Sequence, residues 1–455
     1  MFYNSNDVLP KKNNGTKEKL KIILFLAMPA VIENFFQTIL GFVDTLFVSK
    51  IGLDAVSAVG VTNAILAVYI AIFMSLGVAV NVWVAKYIGA GENEKAKHIG
   101  QQAIVLAIVL GIIFGAVTFF FTTSLLQLMG IEENVLEKAV LYFRIVAIPS
   151  VLISLMFVFS SILRGTGDTK TPMKITIGIN LLNILLDYAL IFGFAFIPSM
   201  GIAGAAYATV IARLVGSVAL LIYLQKVIGI TKANWKVDRK QQWDLITLGS
   251  PVGAERLVMR IGQVLYFGFI VVLGTNTFAA HQIAGSIEIF SYMIANGFAT
   301  AAMVLVGQSL GADNYDDAKQ YARLSTLLGI GLMTIVGFLL FFFGGLIGSF
   351  FTNNPNVIEQ IQVALQIDAF IQPVLAVVLI LTGVFNGGSN TKFPMYITTI
   401  GIWGVRIIFI YLLAIMLNWG IAGVWIAIGL DNLFRAIFLF VRFSKDNWAK
   451  KNEQL

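Results

Sequence analysis

The chain has 455 residues, of which 58% are hydrophobic and only 12% are charged, and its mean hydropathy is +0.86. This is more apolar surface than a soluble core can bury, so the composition excludes an ordinary soluble protein and predicts a multi-span membrane protein. The absence of cysteine excludes disulfides and thiolate chemistry. The two histidines, His98 and His281, lie far apart in the sequence, so a metal centre built on them is not expected.

Twelve apolar stretches, separated by short polar breaks, are long enough to cross a bilayer, which takes about 20 residues. The sequence therefore predicts an all-α integral membrane protein with twelve transmembrane helices. In chain order the predicted spans lie near residues 21–48, 55–83, 101–123, 139–163, 173–196, 201–226, 244–273, 277–308, 324–350, 361–385, 394–417 and 420–442.

The basic residues sort by membrane side, which explains the net charge of +7 without a nucleic-acid partner. Lys50, Lys138 and Arg144 are nearly all that one side holds. By the positive-inside rule the other side is cytoplasmic, and both termini lie there as tails, residues 1–20 and 444–455. The first tail lacks a small-residue cleavage site and is not expected to be a signal peptide. The cytoplasmic lysines and arginines are at positions 11, 12, 17, 19, 21, 86, 95, 97, 164, 170 and 174, with more at 226–240, 319–323, 392 and 442–451.

Two ten-residue stretches indicate an internal repeat. LRGTGDTKTP at 163–172 and FNGGSNTKFP at 385–394 have a glycine, a threonine, a lysine and a proline at the same spacing. The offset that takes position 163 to position 385 also relates Pro29 to Pro251 and Glu33 to Glu255. One register therefore runs through most of each half of the chain.

The first of these stretches is not a nucleotide-binding loop, because Thr169 stands where such a loop needs a glycine before the lysine. It is predicted to be a cytoplasmic turn between helices. The preceding helix would end at Gly165 and Gly167, and the next would start at Pro172.

A repeat of six spans returns the chain to the side on which it began, so the two halves share one orientation. They are therefore predicted to be two six-helix bundles related by a pseudo-two-fold axis along the membrane normal. The first lobe covers residues 21–226 and the second covers 244–443. The polar segment 227–243 is the cytoplasmic linker between them.

Charged residues inside the second-half spans have two interpretations. A charge at a span centre costs about 2.5 to 3.5 kcal/mol, so those that persist are candidates for function. A structural ion-pair network is an equally good interpretation, because the second half holds arginines as well as acids. The expected pairs are Asp431 with Arg435, one helical turn away, and Glu255 and Glu288 with Arg256, Arg260 and Arg406; Asp368 is a further acid in this half.

The first half is less balanced, since Glu33, Asp44 and Asp187 lie in its spans with Arg213 as the one basic residue there. In the fifth span, NLLNILLD places polar residues at i, i+3 and i+7, which is one face of a helix. These residues are Asn180, Asn183 and Asp187. A carboxylate beside amide oxygens can hold a proton or coordinate a sodium ion, and Asp44 is the natural partner. Hydrogen bonding that only packs helices is the alternative.

Pro29 lies about four turns before Asp44 in the first span. A proline removes one ladder hydrogen bond and crowds the preceding turn, so the helix can bend at this point. A bend close to an ion site would suit a moving gate. A static kink is the alternative.

Together these features resemble the multidrug and toxic compound extrusion (MATE) family, closest to its bacterial and archaeal DinF-like branch. The resemblance rests on two six-span halves, on Pro29 followed fifteen residues later by Asp44 and Thr45, on the repeated turns, and on NILLDYALIFG in the fifth span. It covers residues 20 to 443. It implies an inner-membrane antiporter that expels cationic, amphipathic drugs in exchange for inward-moving protons or sodium ions, with two lobes that rock between outward-open and inward-open states.

The resemblance also implies roles for individual residues. Asp44 matches the family's first-span aspartate, and Asn183 and Asp187 match its fifth-span pair. Thr209, in AAYATVIA, matches a sixth-span threonine near the same cation site. Pro29 matches the proline at which the first helix bends.

The second half departs from the family pattern. Met259 stands where many sodium-coupled relatives have a glutamate, and Asp368 lies about two turns from the position of their tenth-span aspartate. The resemblance therefore does not imply a second-lobe cation site. The remaining polar residues of the spans are kept as secondary candidates: Asn180, Glu33, Glu255, Glu288 and Asp368.

The leading hypothesis is a proton- or sodium-coupled multidrug antiporter with Asp44 and Asp187 as coupling carboxylates. The alternative is a flippase for lipid-linked sugars, which would need a basic cavity. An intramembrane enzyme is not expected, because no His-based or Ser/Lys constellation is found. No cofactor and no nucleic-acid partner are predicted. The expected partners are drugs or toxins, H⁺ or Na⁺ and the lipid bilayer, and the chain is expected to be a monomer in the cell membrane.

Overall fold

The computed structural model describes residues 15–194, 198–230 and 235–449. Most of the first predicted tail, four residues of the predicted linker and the last six residues of the chain lie outside these ranges. Within them the fold is almost wholly helical and contains no β-strand.

Thirteen helices form the described part of the chain. The last but one contains two π-helical stretches, Gly401–Arg406 and Ile410–Met416. In chain order the helices are α1 (Thr16–Ser49), α2 (Leu53–Gly89), α3 (Asn93–Leu128), α4 (Glu133–Ala147), α5 (Ser150–Gly165), α6 (Lys170–Phe192), α7 (Ile202–Ile228), α8 (Arg239–Val272), α9 (Thr275–Gly311), α10 (Tyr315–Ser349), α11 (Pro355–Gly387), α12 (Lys392–Met416) and α13 (Gly420–Ser444).

These helices account for the twelve predicted spans. Ten of them are individually long and apolar enough to cross a membrane. The fourth predicted span is broken: α4 and α5 meet at an angle of 45° and together make one span. The break falls at Pro149, which lacks the N–H that would continue the ladder. The twelfth is α8, whose 34 residues include too many charges for an apolar window.

The predicted turn after α5 is confirmed. Gly167 has a φ of 92°, a conformation that side chains other than glycine rarely adopt. The carboxylate of Asp168 then accepts from the backbone N–H of Thr171 at 2.9 Å and from its hydroxyl at 2.6 Å. Because α6 begins at Lys170, Pro172 is its third residue and not its first, a position where the missing N–H still costs no helix hydrogen bond.

The chain divides into two compact units. Unit 1 is Ile32–Gly253, and unit 2 is Ala254 onward together with the segment that ends at Val31. The divisions fall inside α1 and α8, so each of these helices begins in one unit and continues in the other. Unit 1 packs around buried residues such as Phe73 and Phe143. Unit 2 packs around residues such as Tyr321 and Trp425.

Glycines set the closest helix approach in unit 1. A Cβ added at Gly111 of α3 would lie 2.5 Å from the Cα and 2.8 Å from the N of Val151 in α5. Gly115, one turn further on, meets the carbonyl of Ile148 in the same way. The backbones of these helices therefore touch with no side chain between them, as small-xxx-small spacing predicts.

Gly111→Ala is expected to lower the stability of the protein by about 1 to 3 kcal/mol, because α3 and α5 must separate to admit the methyl group. Comparative thermal unfolding in detergent measures this. Gly178→Ala in α6 is the matched control, since a Cβ there meets nothing within 4 Å. Equal melting temperatures for the two variants would show that the contact at Gly111 does not limit packing.

Candidate cation-coupling site

Two carboxyl groups meet in unit 1, one from α1 and one from α6. The side chains of Asp44 and Asp187 lie close enough to share a hydrogen bond. Asp187 is buried with 2% of its surface exposed, and Asp44 is half-buried. Two carboxyl groups bond each other only when one of them carries a proton. The structure thus brings together the two acids that the sequence singled out.

One oxygen of each carboxyl group lacks a hydrogen-bond partner among the described residues. Oδ1 of Asp44 and Oδ2 of Asp187 are both buried, and neither has a hydrogen-bond partner among the described residues. A buried polar atom without a partner costs about 1 to 3 kcal/mol, so such atoms require an explanation. A bound cation or a second proton would satisfy both.

The predicted polar stripe of α6 is present. Asn180 and Asn183 are buried on the face that carries Asp187, and the Nδ2 atom of each has no partner in the part of the chain that is described. Rotation of the amide exchanges its oxygen and nitrogen, so either residue can present an oxygen to a cation. The stripe therefore extends the carboxyl pair along one side of α6.

Helices α4 and α7 supply the other side chains of this region. Thr209 donates to the carbonyl of Ala205 at 3.0 Å and lies beside Tyr142, which is buried. Arg213, one turn beyond Thr209, donates to the carbonyl of Val146 at 3.4 Å. Sequence reasoning missed Tyr142, because a tyrosine in an apolar segment is more often a packing residue.

Neither carboxyl group of the pair forms an ion pair with a basic side chain among the described residues. Arg213 interacts electrostatically with Asp44, yet it forms no ion pair in the described ranges. Two carboxyls and one distant guanidinium can hold a proton, and oxygens from Asp44, Asp187, Asn183 and Thr209 are the ligand type that a hard cation prefers. Both chemistries remain open to the same residues.

Glu33 is not an uncompensated acid, contrary to the sequence analysis. Its Oε1 accepts from Arg164 at 2.6 Å and from the hydroxyl of Thr176 at 3.2 Å. The prediction went wrong because Arg164 was assigned to a loop, whereas it lies in the last turn of α5. Glu33 precedes Asp44 by 11 residues, or about 16 Å along a helix, so it is separate from the carboxyl pair.

Unit 2 contains a buried ion-pair triad. Asp431 accepts from Arg406 at 2.7 Å and from Arg435 at 2.9 Å, so the predicted pair with Arg435 is confirmed. Arg406 ends the first π-helical stretch of α12 and also lies over the ring of Tyr266. Its partner is Asp431 and not the glutamate that the sequence suggested.

The other acids of the second-half spans form no ion pair at contact distance among the described residues, although Arg256 acts electrostatically on Glu255 and Arg406 acts electrostatically on Glu288. Glu255 accepts from the hydroxyl of Thr398 at 2.7 Å, and neither it nor Glu288 forms an ion pair within the described residues. Arg260 instead donates to Gln263 on an exposed face. Sequence spacing along one helix cannot determine which residue of another helix faces it.

Asp368 lies deep in unit 2 and has no exposed surface. Its Oδ2 accepts from Gln372 at 2.5 Å, and Glu288 is the acid that acts on it electrostatically.

An open apolar groove of about 480 Å³ also lies in unit 2, lined by residues of α10, α11 and α13. None of the charged candidates lines the groove, so it is not part of the site.

Comparison with known families matches this chain twice. The MatE family model matches residues 29–189 and again residues 251–412. The two matches begin at Pro29 and Pro251, which are equivalent positions of the internal repeat. The chain belongs to the MatE family. Members of this family are membrane transporters and not enzymes, and the resemblance to MATE proteins is thereby confirmed.

Relatives of this transporter cover nearly its whole length. The probable multidrug resistance protein NorM of Thermotoga maritima is 31% identical over 445 residues, which are 97% of this chain and 96% of that protein. The multidrug resistance protein PmpM of Pseudomonas aeruginosa is 27% identical over 461 residues, covering 96% and 94% of the two chains.

Solved structures share the fold of the transporter. A MOP superfamily transporter from Pyrococcus furiosus is 23% identical, with a TM-score of 0.86 over 96% of this chain and 99% of that one. The Vibrio cholerae MATE transporter VcmN, solved as a point mutant, is 21% identical, with a TM-score of 0.88 over 95% and 97%. The predicted fold class, an all-α membrane protein with twelve transmembrane helices in two bundles, is confirmed.

Proposed function

We propose that this transporter is a cation-coupled multidrug antiporter, which exports cationic amphipathic compounds in exchange for inward-moving H⁺ or Na⁺. The observation that carries the proposal is the buried pair of carboxyls, Asp44 and Asp187, with no basic residue in contact among those described. An acid without a partner at membrane depth is costly and marks an ion pathway by default. The names of the relatives, multidrug resistance proteins, supply the substrate class.

Competition for the carboxyl pair accounts for the coupling. When Asp44 and Asp187 hold a proton or a sodium ion, their negative charge is neutralised and they attract a cationic drug less. When the ion leaves, the exposed negative charge favours the drug. Alternating access between the two sides of the membrane then exchanges one for the other, because the site is occupied by either the ion or the drug during each change of state.

The arrangement in the membrane is part of the proposal. The transporter lies in the cell membrane with both termini in the cytoplasm, since the basic residues concentrate on that side. The lobes that rock are residues 21–226 and 244–443, except that the first halves of α1 and α8 belong to the opposite unit and move with it. The chain works as a monomer of the DinF-like branch. Asn180, Glu288 and Asp368 stay secondary candidates for ion contacts.

Export of a fluorescent cationic dye from proteoliposomes tests this function. Purified transporter is reconstituted, dye is loaded, and an inward pH gradient or an inward sodium gradient is imposed in separate runs. We expect export to follow one gradient and to collapse when that gradient is dissipated by an ionophore. This result would identify the coupling ion, and liposomes without protein give the leak rate.

Export that responds to neither gradient would contradict the antiporter proposal. Scrambling of a labelled lipid in the same liposomes then tests the flippase alternative. No feature of the described residues favours that alternative over drug export.

A further inference from the structure

The two helices that pass between the units do so at equivalent positions of the repeat. In α1 the division follows Val31, and in α8 it follows Gly253; each residue is the second after a proline, Pro29 or Pro251. The proline removes one hydrogen bond of the helix ladder just before the helix enters its second unit. Each helix is therefore weakened in the turn that ends at its proline, just before the helix changes unit.

Before this point, α1 is held closely by unit 2. A Cβ added at Gly297 of α9 would lie 2.9 Å from the backbone N of Val31 and 3.1 Å from the carbonyl of Ala27. The two helices therefore touch backbone to backbone along one turn. A contact of this kind leaves the first half of α1 little freedom relative to α9.

The first half of α8 is held by unit 1 in the same way. A Cβ added at Gly249 would lie 3.0 Å from the carbonyl of Ser75, and one at Gly253 would lie 3.1 Å from its hydroxyl. Ser75 and Gly297 occupy equivalent positions of the repeat, as do the helix residues that pack on them. The same close contact is therefore present in both units. In unit 2 the glycine belongs to α9, and in unit 1 the glycines belong to α8.

After this point, each helix is held to its new unit by a buried glutamate. Glu33 accepts from the hydroxyl of Thr176 at 3.2 Å within unit 1, and Glu255 accepts from the hydroxyl of Thr398 at 2.7 Å within unit 2. The repeat relates both residues of one pair to those of the other. We call the two contacts the unit 1 anchor (Glu33 with Thr176) and the unit 2 anchor (Glu255 with Thr398).

The other deep acids do not follow the repeat. Tyr266 and Phe409 occupy the positions of the repeat that are equivalent to Asp44 and Asp187, so unit 2 has no copy of the carboxyl pair. Arg164, which also pairs with Glu33, is answered by Asn386. The charged residues therefore differ between the two units, whereas the two anchors are the same. A feature that both units keep points to a task that both perform.

We propose that Glu33 and Glu255 are matched positioning residues, which fasten α1 and α8 to the units they enter and so confine bending of each helix to the stretch around its proline. The proposal rests on the alternating-access function proposed above. Because α1 and α8 are held at both ends, a movement of one unit would displace the other unit through these two helices. The glutamates bind neither drug nor ion; they act through the helices.

Variants of the unit 2 anchor test this, because Glu255 forms no ion pair with an arginine among the described residues, whereas Glu33 does. Glu255→Leu and Thr398→Val are expected to export dye at a maximal rate about tenfold lower than wild type, since the buried hydrogen bond between the two residues is lost. The dye concentration for half-maximal export should stay within about twofold of wild type, because the site is untouched. Glu255→Gln should restore the rate, since its amide oxygen still accepts from Thr398.

Hydrogen exchange of the intact transporter supplies a second reading. In Thr398→Val, the backbone amides of residues 252–258 should exchange faster, while those of α9 should not change. Thr399→Val is the matched control, because that hydroxyl bonds only the carbonyl of Met395 in its own helix. Thr176→Val repeats the test at the unit 1 anchor, where Arg164 should limit the effect.

Three results would overturn the proposal. Wild-type rates in Glu255→Leu and Thr398→Val would show that the anchor has no role in transport. A Glu255→Gln variant as slow as Glu255→Leu would make Glu255 an ion carrier. A change confined to the half-maximal concentration would make it a binding residue. Failure of the wild type itself to export dye would instead contradict the proposed function, and the exchange experiment would still test the anchor.

Discussion

Replacing Asp44 or Asp187 by asparagine is expected to reduce gradient-driven dye export roughly a hundredfold, the effect of removing a positioned proton-transfer group. Asparagine keeps the size of aspartate but can neither carry a negative charge nor release a proton. In the wild type the two carboxyls lie close enough to share a hydrogen bond, and one oxygen of each has no partner among the described residues. Either substitution therefore removes the competition between ion and drug, and each single variant should be as inactive as the double variant.

Asp54→Asn is the matched control for this prediction. Asp54 makes an exposed ion pair with Lys138 in unit 1, and exposed pairs of this kind contribute about 0 to 1 kcal/mol. Its variant should export dye at the wild-type rate. Circular dichroism and size-exclusion profiles confirm that each variant is folded. Wild-type export by folded Asp44→Asn would refute the assignment of the coupling site.

Replacing Asp431 by asparagine is expected to destabilise the transporter by about 3 to 5 kcal/mol, the usual cost of leaving a buried charge without its partner. Asp431 has no exposed surface and accepts from two arginines that are themselves largely buried. Arg435 retains a hydrogen bond to Asn432 at 2.8 Å, whereas Arg406 loses its only ion pair in the described residues. The melting temperature in detergent should fall by several degrees.

Arg406→Met should be milder, because Asp431 keeps Arg435 and the aliphatic side chain can still pack against Tyr266. Asp446→Asn is the control, since that carboxylate is half exposed and makes a surface pair with Lys319. If Asp431→Asn melts together with this control, the triad is not a stabilising element. It would then become a candidate ion site in its own right.

The architecture was accessible to sequence reasoning because its signals are local or repeated. A span needs only enough consecutive apolar residues, and the turns after α5 and α11 share a glycine at one matched position, Gly165 and Gly387. The offset of the internal repeat also matched residues whose contacts are equivalent in the structure, such as Glu33 and Glu255. The break between α4 and α5 was missed, because hydropathy averages over the proline that causes it.

The contacts of the charged residues depend on which helices become neighbours. Asp44 and Asp187 were paired correctly on the argument that both were uncompensated. The same argument failed for Glu33, whose partner Arg164 lies far along the chain in α5. The expected pairing of Arg406 with a glutamate also failed, because Arg406 reaches Asp431 from a π-helical stretch that no periodicity indicated. The position of Tyr142 beside Thr209 likewise had no sequence signal.

The sequence by itself determined the membrane location, the number of spans, the duplication and the short list of acids. Each span must be apolar on its own to lie in lipid, so its composition and any charge in it can be identified without knowing its neighbours. The tertiary structure alone decided which acids are neutralised, which pair with each other, and where α1 and α8 change from one unit to the other. Those outcomes follow from the packing of helices that are distant in sequence, and a side chain two positions along the same helix would face a different neighbour.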